Sequence, residues 1–477
     1  MGIPSLEIGK RALIAQRLGL DVTGNNIANV NTPGYSRRSA ILEEGSPINV
    51  SGKYLGSGSL VSKLQSFRNE FIDKEIRSAG ARLTGYESDI EFYQRIESVL
   101  AEPSDLGVGE MTSEYFNLFN ELSLNPENQA LRDHVIEHSR SLAQRFNAMA
   151  TDFAAVRSDA LKQLDQGVTS ANKLIEEIAQ YNQLISNSSA DPTSQSQTYI
   201  DERQQKLEEL SKIMHATSAD EKNGSVNVFA NGINLVTGTV ASKLELRGTI
   251  NQENGERTVE LFRKDSNGST TKIEPSAGKS ASLLKMYNST LDDADTSGDF
   301  SVVSELNSFV SAFAESVNSI LSQGYGLDDA GATAPPGRNL FVSGTGSIIA
   351  GNIEVNSDIT ARNLPIADAP GEDGNAEIAR QVARIQNDPS FINGATPSEF
   401  YAALISKAGV QASEADTGEK TLRLMYDQLD SQRESIQGVN LDEEAVNLIK
   451  FQKAFEAASR VINSTSELLS IVVNLGR

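Results

Sequence analysis

Apolar residues recur every seven positions at both extremities of this chain, and no other feature limits its possible folds so strongly. Near the C-terminus Leu441, Leu448, Phe455, Ile462 and Leu469 occupy one heptad position, and Phe451, Ala458, Thr465 and Val472 the other. Glu444 is the only charge in that seam. Asn440 is placed to cap the first turn, with Glu443 three residues on to complete a capping box, and Asp442 and Glu444 add negative charge at the positive end of the helix dipole. Gly476 stops the helix. At about 1.5 Å per residue this is a rod of about 50 Å, and its narrow stripe must be covered in water. Leu6, Leu13, Leu20 and Ile27, also seven apart and reinforced by Ile14, Leu18 and Val22, supply a partner stripe, so the termini are expected to pair.

The first helix runs out in Asn25-Asn26-Ile27-Ala28-Asn29-Val30-Asn31-Thr32-Pro33-Gly34-Tyr35. Pro33 bars a helical conformation at Thr32, and Gly34 permits positive φ, so a sharp polar turn is predicted. The segment Asn29, Val30, Asn31, Thr32, Pro33, Gly34, Tyr35, Ser36, Arg37 resembles the N-terminal signature of the bacterial flagellar axial proteins of rod and hook type, and Gly438 to Leu475 resembles their C-terminal helix. Between the ends, Pro126 to Arg132, the run Asp201 to Leu210, and Asn318 with Gly324-Tyr325-Gly326-Leu327-Asp328 are similar to the hook-associated protein 1 family, the hook–filament junction proteins. Residues 224–275 and 330–372 carry no such likeness.

The chain has 477 residues, 38% hydrophobic and 22% charged, which is room for two to four domains of ordinary soluble composition. Its 42 basic against 64 acidic residues leave a net charge of −22, which argues against an electrostatic footprint for nucleic acid and against adhesion to anionic membranes. No run of 18 apolar residues suggests a membrane span, and the first 30 residues lack the apolar core of a cleavable secretory signal. With no cysteine, neither disulfides nor a thiolate site is available, which suits a protein that crosses a membrane unfolded. The resemblance implies export through the flagellar secretion apparatus without a cleaved peptide.

Between the ends the pattern is mostly helical. Residues 41–58 read as an irregular connector with strand-like pieces at Ile41-Leu42 and Ile48-Asn49-Val50, and Leu64 to Leu100 as a helix. Asn125-Pro126 reads as the cap and first turn of a rod reaching about Ile185, with Tyr199 to Ala216 folding back on it. Alternation then replaces helical spacing. Val226 and Val228 face Ile233 and Leu235 across Asn231-Gly232, and Val259 and Leu261 face Thr271 and Ile273 across Asn267-Gly268. Helices resume over Ala281 to Leu321, Ala376 to Ile385 and Pro397 to Gln437, with short strands between Leu340 and Leu364. The expected fold is mainly α and elongated, with coaxially paired terminal helices. Its expected division is a terminal assembly domain (1–40 with 437–477), a helical bundle (41–223, 276–325 and 373–436), an inserted β domain (224–275), and a loop and short-strand insert (326–372).

Enzymatic signals are few. His134-Val135-Ile136-Glu137-His138 matches the H-x-x-E-H pattern of a zinc peptidase, with both histidines on one helical face. His138 falls on the stripe of Leu131, Val135 and Leu142, however, and His215 is the only other histidine, so packing and surface roles are favoured although a glutamate third ligand stays open. Asp293 to Asp299 opens like a calcium-binding EF-hand loop but has Ser304 where the bidentate glutamate belongs, so a solvated acidic loop is favoured. No nucleophile elbow, phosphate loop or dinucleotide fingerprint occurs, and Arg37 and Arg38 read as a solvated pair.

The expectation is therefore a non-enzymatic structural protein with no cofactor or metal, whose assembly interface comprises Leu6, Leu13, Leu20, Ile27, Asn29, Asn31, Thr32, Pro33, Gly34, Tyr35, Leu441, Leu448, Phe451, Phe455, Ile462, Leu469 and Val472. The resemblance implies a place outside the cell, between hook and filament of the bacterial flagellum. It implies as partners further copies of the chain, hook protein, a second junction protein, and an export chaperone on the C-terminal helix. A hook or distal rod protein is the nearest alternative, but such a chain should be mostly β between its ends. A seam containing Ala458, Thr465 and Glu444 is weakly held alone, so the ends are expected to order on incorporation.

Overall fold

The computed structural model describes residues 2–50, 53–100, 107–188, 195–250, 257–265, 267–293 and 299–475. Helix α1 (Gly2–Ala28) leads through the polar turn into β1 (Arg38–Glu44), a small hairpin β2 (Ile48–Val50) and β3 (Lys53–Leu55), and the returning β4 (Ser59–Ser66). Helices α2 (Glu70–Leu100), α3 (Val108–Leu124), α4 (Gln129–Ser188) and α5 (Gln195–Met214) follow. Next come β5 (Ala216–Asp220), β6 (Val226–Ala230), β7 (Ile233–Thr237), β8 (Val240–Ala241), β9 (Lys243–Ile250), β10 (Arg257–Lys264) and β11 (Thr270–Ile273). The remainder is α6 (Lys279–Lys285), α7 (Val302–Leu321), β12 (Phe341–Ser343), β13 (Ile353–Val355), α8 (Glu377–Arg384), α9 (Pro397–Gln437) and α10 (Leu441–Leu475).

Helix α4 is the spine, 60 residues or about 90 Å of continuous rod. Two cores are strung along it. The first gathers its N-terminal half with α2, α3, α7, α8 and the start of α9 around an aromatic cluster in which the Phe313 ring lies 5.1 Å from Tyr115 and 5.4 Å from Phe341. All three rings are fully buried, each contributing about 1.5–3 kcal/mol by burial alone. The second core joins Val168, Ile175 and Ile178 of α4 to Leu207 and Leu210 of α5 and to the inward residues of the sheets β5-β6-β7-β8 and β11-β10-β9. Both Asn-Gly turns close hairpins. Ala230 pairs with Ile233 around Asn231 (φ 46) and Gly232 (φ 80), but a bulge between Val228 and Phe229 sets Val228 opposite Val236 rather than the expected Leu235, while Leu261 pairs with Ile273.

Several local expectations are displaced. The apolar spacing from Leu64 is strand as far as Ser66, and helix begins only at Glu70. The supposed connector is a pair of nested antiparallel hairpins lying along α1, with Arg38 opposite Ser66 and Ile48 opposite Leu55. Cap and first turn of α4 shift from Asn125-Pro126 to Asn128, whose side chain accepts from the Ala130 N–H at 3.0 Å. Asn440 does cap α10, accepting from Asp442 at 3.0 Å, but Glu443 reaches Arg37 instead of closing a capping box. Gly476 lies outside the described residues.

One device recurs that apolar periodicity does not announce. Asn26, Asn172, Asn182, Asn288 and Asn318 each turn a side-chain amide to both polar groups of one backbone residue, at Arg38, Leu244, Val226, Val259 and Phe341 respectively. Each accepts that residue's N–H and donates to its C=O, over 2.7 to 3.1 Å. An amide offers the donor and acceptor a neighbouring strand would, so these asparagines satisfy extended backbone where it meets a helix.

Candidate functional site

The two ends of the chain pair as antiparallel helices. Along α1 the buried positions are Gly9, Ala15, Gly19, Thr23 and Asn26. A Cβ at Gly19 would fall 2.7 Å from Cδ1 of Phe451, and one at Gly9 would fall 2.6 Å from Cγ1 of Ile462, so the glycines are the holes into which the large residues of α10 fit. On α10 the expected seam faces α1: Leu448, Phe451, Phe455, Ile462, Thr465 and Leu469 are half-buried and Ala458 is buried. On α1 the close approaches lie at Gly9 and Gly19, opposite Ile462 and Phe451, while Leu13, Leu20 and Ile27 are half-buried and Leu6 is exposed. Leu441 is exposed, and the side chain of Val472 lies outside the described residues.

The opposite face of α10 is also apolar. Val446, Ile449, Val461, Leu468 and Ile471 are 50 to 65% exposed, and at 3.6 residues per turn they fall with Ala457 on one side, interrupted by Lys450, Lys453, Arg460 and Ser464. A helix apolar on two opposite faces is built to be covered on both, and α1 covers one.

The asparagine-rich turn is wired internally. Asn29 donates to the Asn25 carbonyl at 2.9 Å, Thr32 Oγ1 donates to Asn29 Oδ1 at 3.1 Å, and the Tyr35 hydroxyl donates to Asn26 Oδ1 at 2.8 Å. Burial raises the Tyr35 hydroxyl above its ordinary pKa, keeping it a donor. Gly34 has φ 75 and sits against the side chain of Gln205, which donates to the Pro33 carbonyl. Asn31, Thr32, Pro33 and Gly34 are exposed on the outside of the turn.

Arg37 and Arg38 are not solvated. Arg37 Nε donates to Glu444 at 2.8 Å and Nη1 reaches Glu443 at 2.9 Å, so the charge in the seam is partnered within the chain. Arg38 pairs with Asp201 of α5 at 2.7 Å, and Arg68 joins Asp201 at 3.0 Å and Asp73 at 3.3 Å. Burial pushes the Asp201 carboxyl up, against the pull of Arg68 and Arg38. A cavity of about 180 Å³ lies under the turn, between α5 and the end of α9. No apolar periodicity marks these ion pairs; the adjacent arginines were their only trace in the sequence.

The metal-like motifs do not assemble. His138 Nε2 bonds the Met111 carbonyl at 2.8 Å, His134 is exposed on the surface of α4, and His215 sits beyond the end of α5 beside Ser276. Residues 294–298 of the acidic loop lie outside the described residues, while the buried Asp292 beside it binds Arg157. Among the described residues no three His, Cys, Asp or Glu side chains are placed to hold a metal ion, and no helix is long and apolar enough to cross a membrane.

Comparison with known proteins follows the same division. Residues 6–35 match the family described as flagella basal body rod protein, and residues 431–475 match the flagellar basal body rod FlgEFG protein C-terminal family. Paired ends of this kind define a flagellar axial protein. Residues 93–341, just over half of the chain, match the flagellar hook-associated protein FlgK helical domain, and the chain belongs to that family. It is similar to flagellar hook-associated protein 1 of Bacillus subtilis (26% identical, covering 98% of this chain and 97% of that protein) and of Salmonella typhimurium (22%, covering 97% and 98%). Its fold is that of the flagellar hook junction protein FlgK from Burkholderia pseudomallei, with a TM-score of 0.62 at 13% identity, covering 76% of this chain and all of that one.

Proposed function

We propose that this chain is the structural subunit that joins hook to filament in the bacterial flagellum, incorporated through its paired terminal helices. The observation that carries the reading is α10, apolar on two opposite faces with one covered by α1 and the other open to solvent. Sister copies cover the open face, aided by Leu6, Leu13, Leu20 and Ile27 and the turn from Asn29 to Tyr35, while the seam residues Leu441, Leu448, Phe451, Phe455, Ile462, Leu469 and Val472 hold together the terminal pair that presents it. The terminal domain is the axial unit, and the helical bundle with its β and loop inserts forms the outer wall.

On this reading the neighbours are hook protein on one side and a second junction protein on the other, and a chaperone holds the C-terminal helix before export. The chain works outside the cell, exported by the flagellar apparatus, and catalyses nothing; family membership and the commitment of His138 to the Met111 carbonyl support that. Electron microscopy of cells lacking the protein tests the reading. Intact hooks without filaments are expected, and filaments of normal number and length would overturn it.

A further inference from the structure

Two stretches link the terminal pair and its hairpin arm to the body: residues 67–69 between β4 and α2, and residues 438–440 between α9 and α10. Neither is helical, and Gly438 is extended (φ −67, ψ 153), so no continuous rod sets the angle between terminal pair and body. Yet the crossing is densely pinned. The Arg37 N–H donates to the Gln437 carbonyl at 2.9 Å, and its own carbonyl accepts from Phe67 at 3.0 Å, which threads the chain between the end of α9 and the start of α2. Gln437, itself buried, donates to Asp73 at 3.1 Å.

Successive side chains on extended backbone point to opposite sides. Arg37 accordingly goes to Glu444 of α10, in the terminal pair, and Arg38 to Asp201 of α5, in the body. We propose that these two adjacent arginines, with Glu444, Asp201, Asp73 and Arg68, form a two-way rivet that fixes the angle of the terminal helices to the body, making Arg38 and Asp201 positioning residues for the whole subunit. The body-side pairs are shielded from water, with side-chain exposures of 8% for Arg38, 8% for Asp201, 13% for Arg68 and 4% for Asp73. Shielded pairs hold where a rim pair would be screened by salt. All the charges are consumed inside one chain, so the rivet acts in the single molecule whether or not the assembly reading holds.

The absence of cysteine makes the test direct. Gln452→Cys on α10 and Ser170→Cys on α4, both exposed, place two spin labels across the joint in the full chain. Pulsed electron paramagnetic resonance should give one narrow distance distribution in the parent. Asp201→Asn should lose that single peak and spread the distances, with helix content by circular dichroism unchanged, and Glu305→Gln, in a remote ion pair with Lys407, should leave it intact. Should Asp201→Asn lose helix, Arg38→Gln, which removes only the guanidinium head, is the deciding variant. A peak as narrow in the folded variants as in the parent, or a broad one in the parent itself, would overturn the proposal.

Discussion

Asn26 and Glu444 stand 418 residues apart in the chain and 3.1 Å apart in space. The asparagine donates to the carboxylate while holding the Arg38 backbone through both its amide groups, so one side chain ties the first helix, the turn and the last helix together. Asn26→Ala leaves the buried Glu444 carboxylate and the Arg38 backbone without these partners, each unmet group costing about 1–3 kcal/mol. Amide exchange of residues 441–451 in the variant should accelerate, while that of α4 stays slow.

The same contact gives the terminal pair a direction. It is pinned by hydrogen bonding at Asn26 and Glu444 and held further out by the glycine holes and apolar seam, so the pair should fray from its far end before incorporation. Amide exchange on the free chain is expected to be slower at 23–28 and 441–451 than at 5–12 and 462–471. Uniform slow exchange along α10 would contradict order on incorporation.

Alanine normally stabilises an exposed helix by up to about 1 kcal/mol over glycine, and here the sign should depend on position. At Gly24 nothing lies within 4 Å of the added carbon, so Gly24→Ala should stabilise. At Gly19 the carbon would meet the Phe451 ring at 2.7 Å, so Gly19→Ala should loosen the pair, by about 1–3 kcal/mol for an overpacked contact. Urea unfolding followed by a probe on α10 distinguishes the two.

Acid should release the 326–340 loop. The Arg338 guanidinium, 2.6 and 2.9 Å from the Asp329 carboxylate, holds that carboxyl below its usual range, aided by the Gly326 N–H. The folded chain therefore binds this proton less readily than the unfolded one. Its contribution is present above about pH 4 and is lost as pH falls through the folded pKa. The stability difference between wild type and Asp329→Asn, measured by denaturant titration, should shrink below that pH, and an undiminished difference would exclude the linkage.

Much of this was legible because it is periodic. The α10 seam, the α4 spine, both Asn-Gly hairpins and the helix from Pro397 all follow from repeat spacing and turn chemistry. The glycine contacts of α1 were missed because heptad reading follows large residues, whereas Gly9 and Gly19 are small residues that take their meaning from Ile462 and Phe451 in a distant segment. The rivet and the asparagine clamps were invisible for a related reason. Arg38 with Asp201, or Asn318 with Phe341, are single polar residues whose partners only the tertiary fold selects. The hairpin arm along α1 was obscured because its longer strands, β1 and β4, bury no alternating face, while β2 and β3 have only 3 residues each.

The central claim, that the open face of α10 is meant for sister molecules, is tested most directly by charging it. Ile449→Asp with Leu468→Asp alters two residues, 57 and 63% exposed, on the side away from α1. With the protein detected in the culture medium to show that export survives, immunoelectron microscopy should find the variant missing from hook tips and the cells without filaments. Normal labelling of the junction beneath full-length filaments would contradict the account.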